Sequence, residues 1–246
     1  MSAALEVRDL RLAFGGLVVT DDVTLSLPVG ARTALIGPNG AGKTTLVNQI
    51  CGMLTPSAGR IMLMGEDITN LPQASRVHRG LIRSFQVTQL FPDLTVAEHV
   101  VLAVLAQARK TGGVWRPMMR RGETRERAQV HLDQLGLAPI EDRRTGEIAY
   151  GEQRLVEIAI ALAMQPCVLL LDEPAAGIPR EGMELVTDAL AALPDDLAVI
   201  MIDHDMDLVR RFARHVVVLA SGRVIAAGTP AEISHDAAVR TAYLGT

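Results

Sequence analysis

Hydrophobic and polar residues alternate with a period of two near the start of the chain. Leu5 and Val7 are followed by Leu10, Leu12 and Phe14, a Gly15-Gly16 break, and then Val23, Leu25 and Leu27. Side chains on a strand point to alternate faces, so this region predicts strands joined by a tight turn. Thr33-Ala-Leu-Ile36 is a short apolar run that reads as a further strand, and Leu46-Val-Asn-Gln-Ile50 reads as the opening of a helix. Pro56-Ser-Ala-Gly59 introduces a short strand, Arg60–Met64, which Gly65-Glu66-Asp67 closes. From about 93 to 137 the period lengthens. Val96, Val100, Val101 and Val104 recur at helical spacing, Gly112-Gly113 interrupts, and a charged helix resumes near Glu123. Another helix is expected from about Gly151, with Leu155, Ile158, Ala159, Leu162 and Ala163 as its core-facing stripe. Three apolar runs then predict buried strands: Val168–Leu171, Ala198–Ile202 and Val216–Ala220. The first two alternate with helical stretches, as in a parallel sheet, and the third passes through Ser221-Gly222 into Val224–Ala226 as a hairpin. The pattern predicts an α/β core with a strand-rich front edge and a helical insertion.

Composition narrows the class. A chain of 246 residues with 49% hydrophobic and 21% charged residues has enough apolar surface for a large core, and aromatics at 3% make that core aliphatic. Net charge of −4 argues against a general nucleic-acid binder. The charge is uneven: residues 109–127 carry seven basic and two acidic side chains, so this arm is +5 and the rest −9. Cys51 and Cys167 lie far apart and form no metal-like spacing, so buried reduced thiols and a cytosolic compartment are expected. The first residues lack a secretory pattern, and no apolar run approaches the roughly 18 residues a spanning helix needs. A membrane connection would have to come through a partner.

Between the third predicted strand and the following helix stands Gly37-Pro38-Asn39-Gly40-Ala41-Gly42-Lys43-Thr44-Thr45. This fits G-x-x-x-x-G-K-[ST] at every fixed position and in the strand–loop–helix context the motif requires. Glycines at 37, 40 and 42 allow the backbone to curl with its N–H groups turned toward phosphate oxygens. The helix start adds positive potential, Lys43 can reach the outer phosphates, and the Thr44 hydroxyl can hold magnesium. A nucleoside triphosphate site is the expectation.

Asp172 and Glu173 follow the run Val168–Leu171 and, leaving a strand end in different directions, can divide their labour. Asp172 can join Thr44 around magnesium, while Glu173 can polarise a water against the terminal phosphate. His204 lies two residues beyond another predicted strand, where sheet ends converge on a ligand crevice. Gln86 is a neutral amide able to meet magnesium or the attacking water, although on its chemistry alone the reading as a surface glutamine wins.

In this order the motifs resemble the nucleotide-binding subunits of ATP-binding cassette transporters over essentially the whole chain. The resemblance implies one cassette domain over 1–246, with a P-loop NTPase (RecA-like) core of mostly parallel sheet, an antiparallel β subdomain and a helical subdomain at about 87–164. It implies Phe14 stacking on adenine, residues 37–45 holding the phosphates, Lys43 acting in catalysis, and Gln86 as the lever-loop glutamine and a magnesium ligand. Ile148-Ala149-Tyr150-Gly151-Glu152 occupies the family signature, usually Leu-Ser-Gly-Gly-Gln, so Ala149, Tyr150 and Gly151 are expected to contact nucleotide. Asp172 is then the metal carboxylate, Glu173 the catalytic base and His204 the switch histidine. Phe14-Gly-Gly-Leu, Ala149-Tyr-Gly-x-Gln-Arg154, Asp172-Glu-Pro-Ala-Ala-Gly177, His204-Asp-Met206, Tyr243-Leu-Gly245 and the arm around Gly113–Arg121 are similar to the branched-chain amino acid importer group. Relatives of that group may carry other hydrophobic amino acids, urea, amides or small acids.

Three departures stand out: Ala149 replaces the usual serine, Glu152 the usual glutamine, and Ala175-Ala-Gly-Ile178-Pro179 lacks the aspartate many cassettes carry there. Loss of one hydroxyl contact is worth about 1 kcal/mol, which predicts slow rather than absent hydrolysis. The family mechanism implies ATP and Mg2+ as cofactors and a head-to-tail sandwich with a second nucleotide-binding subunit, identical or paralogous. It further implies permease subunits, a periplasmic solute-binding protein acting indirectly, and a place on the cytoplasmic face of the plasma membrane. The arm 109–127, with Trp115, Met118 and Met119, reads either as a solvated loop or as a contact for permease or anionic headgroups. An exporter cassette, such as one of lipopolysaccharide transport, and a soluble non-transport cassette remain the alternative readings.

Overall fold

The computed structural model of the chain describes residues 3–84, 89–108 and 122–244. Gln86, Gly112-Gly113, most of the basic arm and Gly245 therefore lie outside the described residues. The chain divides into two compact units: Met1–Arg83, Cys167–Glu173 and Pro194–Thr246 form the first, and Ser84–Pro166 with Pro174–Leu193 the second.

The first unit holds two sheets. Strands β1 (Ala3–Phe14) and β2 (Leu17–Pro28) form a hairpin through Gly15-Gly16, and β4 (Ala58–Leu63) pairs antiparallel with β1 on its other side. Glu66–Asp67, expected only to close a strand, pairs with β4 as a two-residue strand β5, so this sheet runs β2-β1-β4-β5. The alternation in β1 changes phase between Val7 and Leu10, where the register shifts and Asp9 adopts a positive φ of 50°. An extra residue there brings Leu10 and Leu12 to the buried face that Leu5 and Val7 already occupy.

The second sheet runs β10-β9-β3-β8-β7-β6. Its members are β3 (Arg32–Ile36), β6 (Leu81–Arg83), β7 (Val168–Asp172), β8 (Ala198–Ile202), β9 (His215–Ala220) and β10 (Arg223–Gly228). Strands β9, β3, β8, β7 and β6 are mutually parallel, and β10 returns antiparallel through Ser221-Gly222. Strands β3, β7 and β8 are buried at every position, which is why Ala34–Ile36, Val168–Leu171 and Ala198–Ile202 within them read as apolar runs. Helix α1 (Lys43–Cys51) supplies Leu46, Val47 and Ile50 to the same apolar core as Leu5, Leu10, Ile61, Leu170 and Ile200, so both sheets share it. Helices α2 (Gln73–Val77), α7 (Met206–Phe212), α8 (Pro230–His235) and α9 (Ala237–Leu244) complete the unit.

The second unit is helical: α3 (Val96–Gln107), α4 (Gly122–Gln134), α5 (Tyr150–Ala163) and α6 (Arg180–Ala191). Val96, Val100, Val101 and Val104 are buried, as are Leu155, Ile158, Ala159, Leu162 and Ala163. Thr95 begins α3 with a full capping box: its hydroxyl accepts from Glu98 N–H while Glu98 accepts from Thr95 N–H. Of the two thiols expected to be buried, Cys51 is, and its pKa is pushed up to about 11 chiefly by that burial. Cys167 is only half-buried, because it precedes β7 and its Sγ faces the Arg79 carbonyl at 3.5 Å. Among the described residues no helix is long and apolar enough to cross a membrane.

Candidate functional site

The end of β3 runs into the phosphate loop, where two glycines cannot be replaced without moving backbone. A Cβ on Gly37 would lie 2.0 Å from the Leu219 carbonyl oxygen of β9. One on Gly42, whose φ is 100°, would lie 2.6 Å from the Val19 carbonyl oxygen of β2. The loop is thus seated directly on both sheets. Gly42 is also the N-cap of α1 and offers no side-chain cap, so the first-turn N–H groups remain available to an external acceptor. Lys43 folds back over the loop, its Nζ donating to the carbonyls of Gly37 at 2.6 Å and Pro38 at 3.1 Å. Burial pulls its pKa down, while Glu173 and Asp172 push it up, so both carboxylates lie within electrostatic reach of this ammonium.

The two carboxylates diverge as expected, for a specific backbone reason. Asp172 is the last residue of β7, in register with Ile202 of β8. Glu173 turns to a left-handed φ of 46° while its N–H stays bonded to the Ile202 carbonyl at 2.8 Å. A non-glycine residue held there costs about 1–2 kcal/mol, which marks a position fixed by its surroundings. The turn brings Glu173 Oε1 to 3.4 Å from His204 Nδ1. His204 is itself exposed, at 76%, and its backbone is held from below by Asp203, whose Oδ1 accepts from the N–H groups of His204 (2.7 Å) and Asp205 (2.9 Å). Asp203 is buried, with Oδ2 lacking a hydrogen-bond partner among the described residues, and desolvation raises its pKa against those two N–H bonds. Asp205 caps α7 by accepting from Asp207 and Leu208 N–H.

Asp172 instead faces Arg83, the last residue of β6: Nη2 lies 2.6 Å from Oδ2. Arg83 Nη1 also donates to Asn48 Oδ1 on α1 at 2.7 Å. At the far end of α1, Arg76 is buried at 2% exposure, with no acidic hydrogen-bond partner among the described residues. It donates to four backbone carbonyls, those of Gln49, Ile50, Thr69 and Leu71. It therefore satisfies orphan carbonyls at the C-terminus of the very helix whose N-terminus carries the phosphate loop. Sequence reading missed both arginines. An isolated arginine looks like a surface residue, and the one available signal for Arg83 is its position at the end of Leu81-Ile82, three residues before Gln86.

The first unit thus brings Lys43, Asp172, Glu173 and His204 together beside the phosphate loop. Phe14 stands 54% exposed at the tip of the β1–β2 hairpin, whose Val19 carbonyl touches the loop at Gly42. Thr44, in the first turn of α1, is exposed. From the C-terminal side, Tyr243 of α9 lies beside the start of the loop at Gly37, and it lines an open apolar pocket of about 280 Å³ with Ile36, Met206 and Ile233. Gln86 falls outside the described residues.

Ala149, Tyr150 and Gly151 belong to the second unit, at the start of α5. Ala149 is the N-cap and has no side-chain oxygen to offer the first turn. Glu152 reaches back instead, its Oε2 accepting from Ala149 N–H at 2.8 Å, which is half of a capping box. The acid is thereby accounted for locally, at the cost of a negative charge at the helix start. Tyr150 lies under the Arg154 guanidinium, 5.5 Å from its ring centre, and against Gly177 of the loop after the acidic pair.

Comparison with known proteins agrees with this geometry. Residues 20–176 match the ABC transporter family, and residues 223–246 match the family described as branched-chain amino acid ATP-binding cassette transporter. The chain is 38% identical to the high-affinity branched-chain amino acid transport ATP-binding protein BraF of Pseudomonas aeruginosa, covering 98% of this chain and 97% of that protein. It is 37% identical to LivG of Escherichia coli, of the same description, with the same coverage. Among solved structures, the ADP conformation of an ATP-binding cassette of an ABC transporter superposes with a TM-score of 0.87 at 30% identity, covering all of both chains.

Proposed function

The chain belongs to the ATP-binding, ATP-hydrolysing subunits of ABC transporters, in the branched-chain amino acid family, and from that premise we propose that it energises import of branched-chain or related hydrophobic amino acids through a membrane permease. The observation that carries the chemistry is the convergence of Lys43, Asp172, Glu173 and His204 on one phosphate loop. ATP would lie along residues 37–45, with Phe14 against the adenine and Lys43 released from the Gly37 and Pro38 carbonyls to the outer phosphates. Glu173 would take a proton from the attacking water, and His204, 3.4 Å away, would fix that carboxylate and sense the terminal phosphate.

Thr44, Asp172 and Gln86 would hold Mg2+, and their hydroxyl, carboxylate and amide oxygens are the hard donors that ion takes. The Asp172 carboxylate lies at the end of β7 within electrostatic reach of Lys43 in the phosphate loop, and it is paired with Arg83 in this structure. When bound, the metal would neutralise charge on the phosphate oxygens. The second unit would be the helical subdomain of one cassette domain. Its α5 N-terminus at Ala149, Tyr150 and Gly151 would meet the terminal phosphate held by a second cassette, so that ATP closes the pair and hydrolysis opens it. Acting on a permease, the chain would sit at the cytoplasmic face of the membrane.

Reconstitution of the chain with its permease and solute-binding protein tests this reading. ATP-dependent uptake of labelled leucine into proteoliposomes is expected. Uptake of urea or an amide in place of leucine overturns the solute class alone, whereas hydrolysis with no permease association overturns the transport reading.

A further inference from the structure

We propose that Arg83 is a built-in stand-in for the metal: it neutralises Asp172 in the metal-free protein and must yield that carboxylate when the divalent ion arrives. The inference rests on the reading of Asp172 as a metal ligand and deepens it.

Three features of the geometry point this way. Arg83 Nη2 sits 2.6 Å from Asp172 Oδ2, with both side chains largely buried, so the guanidinium already engages a carboxylate oxygen that a metal or its bound water would use. Nη1 is anchored elsewhere, donating to Asn48 Oδ1 at 2.7 Å and approaching Met53 Sδ at 3.6 Å. The side chain can therefore release the aspartate and keep a hold on α1. Finally, Arg83 Nε is buried with no strong acceptor among the described residues, the one further polar group beside the guanidinium being the Cys51 thiol, a weak acceptor. A buried donor left without a strong acceptor is costly, and an arginine serving structure alone would be better satisfied. Arg76 is the contrast within the same unit: its Nε and both terminal nitrogens are all bonded to carbonyls. One arginine is locked, whereas the other is incompletely satisfied and faces a carboxylate next to the phosphate loop.

The physical consequence is competition. A guanidinium already bonded to a carboxylate oxygen opposes a second cation on that oxygen, by like-charge repulsion and by holding one of its acceptor positions. Its benefit is that Asp172 does not repel the phosphates of a nucleotide arriving before the metal. Arg83 is a positioning residue in this account and does not touch the reacting atoms.

The test measures Mn2+ binding by electron paramagnetic resonance on the full chain saturated with a slowly hydrolysed ATP analogue. Arg83→Gln is expected to tighten Mn2+ by roughly tenfold and to weaken nucleotide binding in chelator by a similar factor. Arg83→Lys, which keeps a charge but not the two-pronged contact, is expected to fall between and serves if the glutamine variant does not fold. A merely structural role would weaken nucleotide binding equally with and without metal. Unchanged or weaker Mn2+ binding in the Arg83 variants overturns the proposal while leaving Asp172 in place. If Asp172→Asn binds Mn2+ as wild type does, the metal reading of Asp172 falls, and this proposal with it.

Discussion

Replacing Arg76 by methionine removes the donor to four carbonyls in the interior of the first unit. Arg76 Nη1 serves Gln49 and Ile50 at 2.8 and 2.7 Å, Nη2 serves Thr69 at 2.8 Å, and Nε serves Leu71 at 2.9 Å. The Gln49 oxygen keeps a second donor in Gly52 N–H at 3.1 Å, so the loss falls mainly on the other three. At about 1.5 kcal/mol for each, the cost is about 4–5 kcal/mol. Methionine matches the aliphatic stem and relieves the desolvation that lowers the Arg76 pKa, which brings the expected net cost to about 4 kcal/mol. For a chain of this size that is a fall in Tm of about 8–16 °C, read by calorimetry on the full chain. Arg76→Lys keeps the charge, but one ammonium cannot span four carbonyls, so it should recover no more than half of the loss. A methionine variant melting within about 2 °C of wild type would show that these carbonyls do not depend on Arg76.

Other outcomes follow from the same structure. Glu173→Gln should lower ATP hydrolysis by about a hundredfold or more while ATP affinity stays within a few-fold, as measured by phosphate release and equilibrium binding; full turnover in that variant would remove Glu173 as the base. His99 is held as the neutral tautomer, with Nδ1–H donating to the Thr95 carbonyl and Nε2 accepting from Phe91 N–H, each at 2.9 Å. Burial foremost lowers its pKa, so its contribution is complete above the ordinary histidine value of about 6.5 and is lost as pH falls below it. Urea midpoints of wild type should therefore drop more between pH 7.5 and 5.5 than those of His99→Gln, and parallel curves would contradict the assignment. Ala149→Ser with Glu152→Gln restores an N-cap oxygen and removes the acid at the start of α5. At about 1 kcal/mol this should raise steady-state turnover about fivefold, and an unchanged rate would make both departures neutral.

What the sequence reveals, it reveals through local geometry. The phosphate loop and the acid pair are contiguous runs whose strand and helix context is itself periodic, so their backbone could be anticipated. The phase change between Val7 and Leu10 passes as plain alternation in the sequence reading, and the structure ties it to a register shift at a left-handed Asp9. Short elements escape: β5 has two residues and β6 three, too few to show a period, and both exist because a longer neighbour offers them an edge. Arg76 and Arg83 escape for another reason, since Gln49 and Ile50 lie 26–27 residues from Arg76, Asp172 lies 89 from Arg83, and no pattern announces a buried guanidinium. Glu152 is intermediate. Its oddity against the family signature is plain in the sequence, but its bond to Ala149 N–H emerges only from the folded turn.

The central claim is that ATP held by residues 37–45 is cleaved through Glu173 only when a second cassette completes the pocket. The most direct test is ATP turnover per mole of chain across a hundredfold range of protein concentration, alone and with added paralogous cassette. Turnover that climbs with concentration, or on addition of the paralogue, is predicted. Undiminished turnover from a strictly monomeric sample at the lowest concentration would contradict it.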